Sequence, residues 1–188
     1  MQDHLGGCQF PDPWLFVPDI WADMVERFSV SSVLDVGCGP GYATKWFSDN
    51  GCRAVGIEGW QEAISKSPVP ELIIKHDYTT GPIELGQRFD LCWCAEFVEH
   101  VEAKYSEHFI ASFAACRVVT MTHAVPGQGG YHHVNEQPED YWIDALVKYG
   151  LVLDGYSTAH YRSMRHNVPY GINHLLIFNN TLWQQKES

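Results

Sequence analysis

The segment VLDVGCGPGYA, residues 33–43, constrains this chain more than any other. An apolar run ends at Val36 and gives way at once to Gly37, Gly39 and Gly41, after which a helical pattern begins. Glycines so placed let a chain turn sharply after a strand and let a ligand approach its backbone closely. The segment therefore reads as a buried strand, a tight turn and the start of a helix. Its spacing separates it from a dinucleotide fingerprint, which runs G-x-G-x-x-G and brings a pyrophosphate onto the helix start. Here the order is Asp35-x-Gly37-x-Gly39-x-Gly41. A carboxylate two residues before the first glycine suits an ammonium and faces a phosphate badly.

Around this turn the element types alternate. Runs rich in Val, Ile and Leu recur at residues 33–36, 53–57, 71–75, 89–94, 117–122, 151–155 and 174–178. Helical patterns separate the early ones, at 42–49 closed by Asn50-Gly51, at 61–66 and at 101–115. Pro138, Glu139 and Asp140 open a further helix that runs to Tyr149 and stops at Gly150: proline in the first turn, acids at the positive end and glycine after the last turn agree. Asp19 would cap a helix through Phe28, after a loop-like, proline-containing stretch over residues 1–18. Strands separated by helices of this length form βαβ units, hence a mostly parallel sheet covered on both faces. The last two runs are joined by a polar segment without clear helical period and read as an antiparallel pair closing the sheet. The expected fold is α/β: a three-layer, doubly wound, mostly parallel sheet of seven strands, the last of them antiparallel. Ligands bind such sheets at the carboxyl ends of the strands, near the topological switch.

Composition narrows the partners. The 188 residues hold 12 basic and 23 acidic side chains, a formal charge of −11, with 45% hydrophobic residues. One globular domain over residues 1–188 is expected, with material for a proper core. No lysine- or arginine-rich block is present, so the phosphate neutralisation that supplies most nucleic-acid affinity is missing and a nucleic-acid partner is disfavoured. No stretch approaches the roughly 20 apolar residues that span a bilayer, and the N-terminus lacks the basic and apolar runs of a signal peptide. Of the six cysteines (8, 38, 52, 92, 94 and 116), four sit in or beside strand-like runs, where a reduced thiol acts as a small hydrophobe. A soluble, cytoplasmic protein with free thiols is expected.

The acid followed by G-x-G-x-G resembles the first motif of the class I S-adenosylmethionine-dependent methyltransferases, and the likeness covers about the first 125 residues and the sheet-closing pair. It implies that Gly37, Gly39 and Gly41 pack against the methionine part of the cofactor, with Asp35 supporting the loop and the amino group. In that family an acid ending the second strand holds the ribose hydroxyls. CRAVGIEGW puts Glu58 there, 23 residues after Asp35, with Trp60 near the adenine. HDYT places Asp77 where the family holds the adenine amino group, and Tyr78 beside it. FDLCWCAEFVEHV is similar to the family's FD-strand-E-x-x-E-H pattern, which implies Cys94, Ala95 and Glu96 as pocket wall and His100 as an active-site group. Glu96 and His100 stand at helical spacing and would share a face.

Beyond the fifth strand, THAVPGQGGYHHVNEQPEDYW (122–142) reads as a long loop entering a helix. Residues 123–142 would form the acceptor-side loop, and residues 1–30 an N-terminal lid and helix. His123, Tyr131, His132, His133 and Asn135 supply titratable and hydrogen-bonding groups on a glycine-rich stretch able to close over a site. With His100, His132 and His133 are the catalytic candidates. His123, His132 and His133 show no known ligand spacing and the family is usually metal-free, so no metal is expected. From Val118 to Val147 there are four acids and no lysine or arginine, while Arg162 and Arg165 stand together farther on. The first feature suits a cationic or neutral acceptor, and the arginines suit a carboxylate or phosphate.

The leading expectation is a methyltransferase using S-adenosylmethionine on a small-molecule acceptor through oxygen or nitrogen. The alternatives are nucleic-acid or protein methylation, a binding module without turnover, and a nicotinamide-dependent oxidoreductase, which the glycine spacing disfavours.

Overall fold

The computed structural model describes Leu5 and residues 15–164 and 171–183. Cys8, Pro11, Pro13, Arg165 and, of the expected N-terminal lid and helix, residues 1–4 and 6–14 lie outside the described residues. Helix α1 (Pro18–Arg27) precedes a regular alternation. It runs β1 (Ser32–Val36), α2 (Tyr42–Asp49), β2 (Arg53–Glu58), α3 (Gln61–Ser65), β3 (Ile73–Lys75), β4 (Phe89–Cys94), α4 (Ser106–Phe113) and β5 (Cys116–Met121). Then follow α5 (Glu139–Val147), β6 (Leu151–Leu153), α6 (Gly155–Ser163) and β7 (Leu176–Asn180).

The seven strands form one sheet in the order β3-β2-β1-β4-β5-β7-β6. Strands β1 to β5 are parallel, and β7 is antiparallel to both β5 and β6. The mostly parallel, doubly wound sheet expected from the alternation is therefore present, with its reversed strand. Its switch point lies between β1 and β4, where connections leave in opposite directions.

Strand pleating divides the core into two layers. Leu34, Val36, Cys92, Cys94, Val119, Met121, Leu176 and Phe178 face one layer with Phe109 and Phe113 of α4 and Trp142 and Leu146 of α5. Val33, Leu91, Trp93, Val118 and Ile177 face the other, with Ile20, Trp21 and Met24 of α1, Phe47 of α2 and Tyr161 of α6. Residues two apart share a face, so Cys92 and Cys94 go together into the first layer. The five cysteines among the described residues are free thiols.

Four local expectations are corrected. Helix α1 begins at Pro18 after Val17, and no side chain caps it, so Asp19 lies inside the first turn. The third strand starts at Ile73 because Pro70 opens a single 3-10 turn over Pro70–Leu72. The pattern read as a helix over 101–115 is helical only from Ser106, preceded by a 3-10 turn at Ala103–Tyr105. The polar segment between the last two strands holds α6, whose first turn is capped by Asp154: its carboxylate accepts the Ser157 N–H at 2.9 Å and the Ser157 hydroxyl at 2.8 Å.

Candidate active site

The glycine turn lies at the carboxyl end of β1. Gly37, Gly39 and Gly41 have φ of 70°, 53° and 78°, the left-handed region that glycine alone enters cheaply. The Gly37 and Cys38 N–H groups both donate to the Ile57 carbonyl at the end of β2, at 2.9 and 3.0 Å. A Cβ on Gly37 would collide with the Phe97 ring, so this glycine is required by a close approach inside the protein, from the segment that follows β4.

Asp35 is buried beneath the turn. One carboxylate oxygen accepts the Thr44 N–H at 3.0 Å and the Thr44 hydroxyl at 2.6 Å, which ties β1 to the first turn of α2. Burial raises its pKa to about 7; the Thr44 hydrogen bonds oppose the shift and the nearby Glu58 charge adds to it. Glu58, half-buried at the end of β2, accepts the Gly39 N–H at 2.9 Å on one oxygen and the Trp60 N–H at 2.7 Å on the other. Burial raises its pKa too, against the backbone hydrogen bonds. Neither carboxylate has a lysine or arginine partner among the described residues. Two desolvated acids beside an open-backbone turn suit a ligand that brings positive charge and hydroxyl groups. Leu5 packs on Gly59, next to Glu58, so one described N-terminal residue reaches this strand end, as a covering segment would.

Asp77, following β3, accepts the Thr79 N–H at 2.9 Å and its hydroxyl at 2.7 Å, capping the turn over Tyr78–Thr80. Tyr78 is a core residue: its hydroxyl meets the Ser112 hydroxyl of α4 at 2.9 Å, and its ring packs on His76, Phe97 and Phe109. It thus backs Phe97, which in turn covers Gly37. Trp60 is half-buried and precedes α3. Cys94 and Ala95 are buried at the end of β4.

Glu96 takes a left-handed conformation, φ 51°, uncommon for a residue with a side chain and typical of functional strand ends. Its N–H donates to the Thr122 hydroxyl at 2.8 Å, and that hydroxyl donates to the Glu96 carboxylate at 3.2 Å, linking the ends of β4 and β5. The expected helical face of Glu96 and His100 does not form, because Glu96 interrupts the backbone before the 3-10 turn Val98–His100. The residue drawn inward is Glu99, fully buried, with both carboxylate oxygens lacking a hydrogen-bond partner among the described residues. Burial pushes its pKa up to about 8, and the charges of Glu96 and Glu136 act in the same direction. Sequence reasoning passed over Glu99 as a site residue; its signal was the second acid of E-x-x-E-H.

The loop over residues 123–138 docks on this segment. Val134 and Asn135 donate backbone N–H groups to the Glu99 carbonyl at 2.9 and 3.1 Å, and the Asn135 side chain donates to the Val98 carbonyl at 3.3 Å. Glu136 holds the glycine-rich part, accepting the Gly127 and Gly129 N–H groups at 2.8 and 2.6 Å, and lies 3.3 Å from His133 Nδ1. The His133 and His100 rings meet edge to face at 5.0 Å. His100 is depressed to about 4, burial first and the neighbouring His133 next, so it is neutral at pH 7. His132 sits beside them with φ 51°. His123 stands apart: it is buried, its ring is 5.7 Å from that of His174, and its Nε2 has no partner. Arg162 is engaged by the Leu175 carbonyl and by Glu139, each at 2.8 Å, so its guanidinium is already committed.

Comparison with known proteins agrees with this geometry. Residues 34–119 match the family model of a methyltransferase domain. No curated protein matches the chain by sequence. Among solved structures, magnesium protoporphyrin IX methyltransferase of Synechocystis with bound S-adenosylhomocysteine is 14% identical, with a TM-score of 0.64 over 94% of this chain and 90% of that one. Streptomyces venezuelae DesVI is 16% identical, with a TM-score of 0.64 over 87% and 90%. A TehB-like methyltransferase from Corynebacterium glutamicum is 14% identical, with a TM-score of 0.60 over 87% and 95%. The chain thus shares the fold of these methyltransferases and carries, over residues 34–119, a match to the methyltransferase domain family.

Proposed function

We propose that this enzyme methylates a small molecule at oxygen or nitrogen, the donor lying over the ends of β1 and β2 and the acceptor between the end of β4 and the loop 123–142. The observation that carries the donor placement is the Glu58–Gly39 hydrogen bond, by which the acid ending β2 grips the turn ending β1. When bound, S-adenosylmethionine supplies a methyl group on a cationic sulfur. The Glu58 carboxylate keeps acceptor capacity beyond its backbone hydrogen bonds to Gly39 and Trp60, enough for two ribose hydroxyls. Asp35 supports the turn through Thr44 and places negative charge beneath the ammonium end. Trp60 and Asp77 border the adenine, Cys94, Ala95 and Glu96 wall the methyl end, and Tyr78 supports Phe97 from behind.

Methyl transfer is an in-line displacement, so the protein has chiefly to align the acceptor, exclude water and receive a proton where the nucleophile carries one. His100, His132 and His133 gather at the acceptor side, and the neutral His100 has a lone pair to offer. The −11 charge and the loop folded over the β4 end support a small acceptor over a polyanion. We place this activity in the cytoplasm, in keeping with the free thiols; no described helix is long and apolar enough to cross a membrane.

Calorimetry tests the reading. S-adenosylmethionine and S-adenosylhomocysteine are expected to bind in the micromolar range and NAD not at all; the reverse would overturn it. In a screen of small hydroxyl- and amine-bearing acceptors, His132→Ala and His133→Ala are expected to lower turnover and leave S-adenosylhomocysteine affinity nearly intact. Full turnover in both would remove them from catalysis.

A further inference from the structure

Glu99 has no part in the donor site proposed above. It is fully buried, neither carboxylate oxygen has a hydrogen-bond partner among the described residues, and burying an unpaired acid is costly. Nearby His100 presents a buried Nδ1 that is equally without a partner. His133 reaches the same spot from the acceptor-side loop, and one donor atom from each of Glu99, His100 and His133 lies within 4.8 Å of the other two. Three Lewis bases thus converge on one point, their carboxylate and one of their imidazole nitrogens unsatisfied.

The surroundings deepen the imbalance. Glu96 and Glu136 add negative charge close to Glu99. The chain from Val118 to Val147, which forms the covering loop, contains no lysine or arginine. Neither its own segment nor the loop offers Glu99 a cationic side chain among the described residues.

We propose that Glu99, His100 and His133 form a binding site for a divalent first-row transition-metal ion. Two imidazoles and a carboxylate are a donor set for such ions, whereas calcium and magnesium prefer oxygen throughout. Donors about 2.1 Å from a shared ion stand roughly 3–4 Å apart, so the observed spacing closes with a small side-chain adjustment. Glu136, beside His133 Nδ1, is placed to orient that imidazole, as carboxylates commonly do behind a ligating histidine. The ion would join the acceptor-side loop to the end of β4. This replaces the expectation of a metal-free protein, which weighed only the histidines 123, 132 and 133; the structure separates His123 from the group and supplies Glu99 and His100 instead. The proposal shares its location with the acceptor site proposed above, but metal binding stands or falls without any methyl transfer.

The test uses the full chain stripped with EDTA and titrated with Co²⁺, followed by its visible absorption, and with Mn²⁺, followed by paramagnetic resonance. One equivalent of ion is expected to bind in the micromolar range and to raise the melting temperature. His133→Ala, on a loop outside the sheet, is expected to weaken binding about 10-fold or more. Glu99→Gln, which keeps the shape and removes the charge, is expected to do the same and to abolish the metal-induced rise in melting temperature. The proposal is overturned if the wild-type chain takes up neither ion stoichiometrically, or if both variants bind as tightly as wild type. S-adenosylhomocysteine binding measured in the same EDTA-treated sample keeps the two readings apart: ion uptake without nucleoside binding would remove the donor site and leave the metal site standing.

Discussion

Glu58 Oε2 accepts the Gly39 backbone N–H at 2.9 Å, so the acid that closes β2 fastens the turn that closes β1. The residue proposed to hold the ribose is thus also part of the scaffold of the glycine turn, and its replacement would act through both.

Glu58→Ala should weaken S-adenosylhomocysteine binding by about 1–3 kcal/mol, the range for charge-assisted hydrogen bonds lost together. Calorimetry measures it. Unchanged affinity would confine Glu58 to the scaffold.

Gly37→Ala should be costly twice over, once for φ 70° and once for the collision with Phe97. Gly51 offers the control, since it has φ 88° but nothing within 4 Å of an added Cβ. Urea unfolding should show a loss of about 3 kcal/mol or more for Gly37→Ala and about 1 for Gly51→Ala. Equal losses would show that the Phe97 contact is yielding.

The pH dependence of stability should carry the mark of Asp35. Its pKa in the folded chain is about 7, against 3.8 for an exposed aspartate, so the folded state holds the proton more tightly. The stability this confers is complete below pH 4 and is lost as pH rises through about 7, a fall on the order of 4 kcal/mol at most. Asp35→Asn can still accept both Thr44 hydrogen bonds and should flatten the slope of melting temperature against pH between 4 and 7. A slope unchanged in the variant would assign the effect to other acids, Glu58 first.

Glu136→Ala should loosen the acceptor-side loop without disturbing the sheet. The Gly127 and Gly129 amides would lose their acceptor, and hydrogen exchange should speed up there while the β4 and β5 amides keep their protection. Unchanged exchange at the two glycines would mean that the loop is held by Asn135 and its neighbours alone.

Much of this architecture was legible because burial on both faces writes parallel strands as continuous apolar runs. The span Phe89–Cys94 is such a run and was delimited correctly, as was Tyr42–Asp49, bounded by a glycine before it and Asn50-Gly51 after it. Helix α6 was missed because it lies at the surface: Tyr156 is 79% exposed, and the residues that do go inward include Ser157 and Thr158, which carry no hydrophobic period. In the site, the acids at strand ends were readable from their place after apolar runs. Glu99 was not, because its burial depends on the left-handed backbone at Glu96 and on a loop more than 30 residues farther along the chain, neither of which spacing reveals.

Strand β7 enters the sheet opposite in direction to β5, so that Leu176, its first residue, pairs with Met121, the last of β5. The chain therefore arrives at β7 on the same edge at which β5 departs, and the turn Gly171–His174 comes to rest beside His123. A parallel strand in that slot would have delivered this approach to the far edge. Because β7 runs backwards, His174 meets His123 at the carboxyl end of the parallel strands, so a change at either residue acts on that edge of the sheet and leaves the far edge untouched.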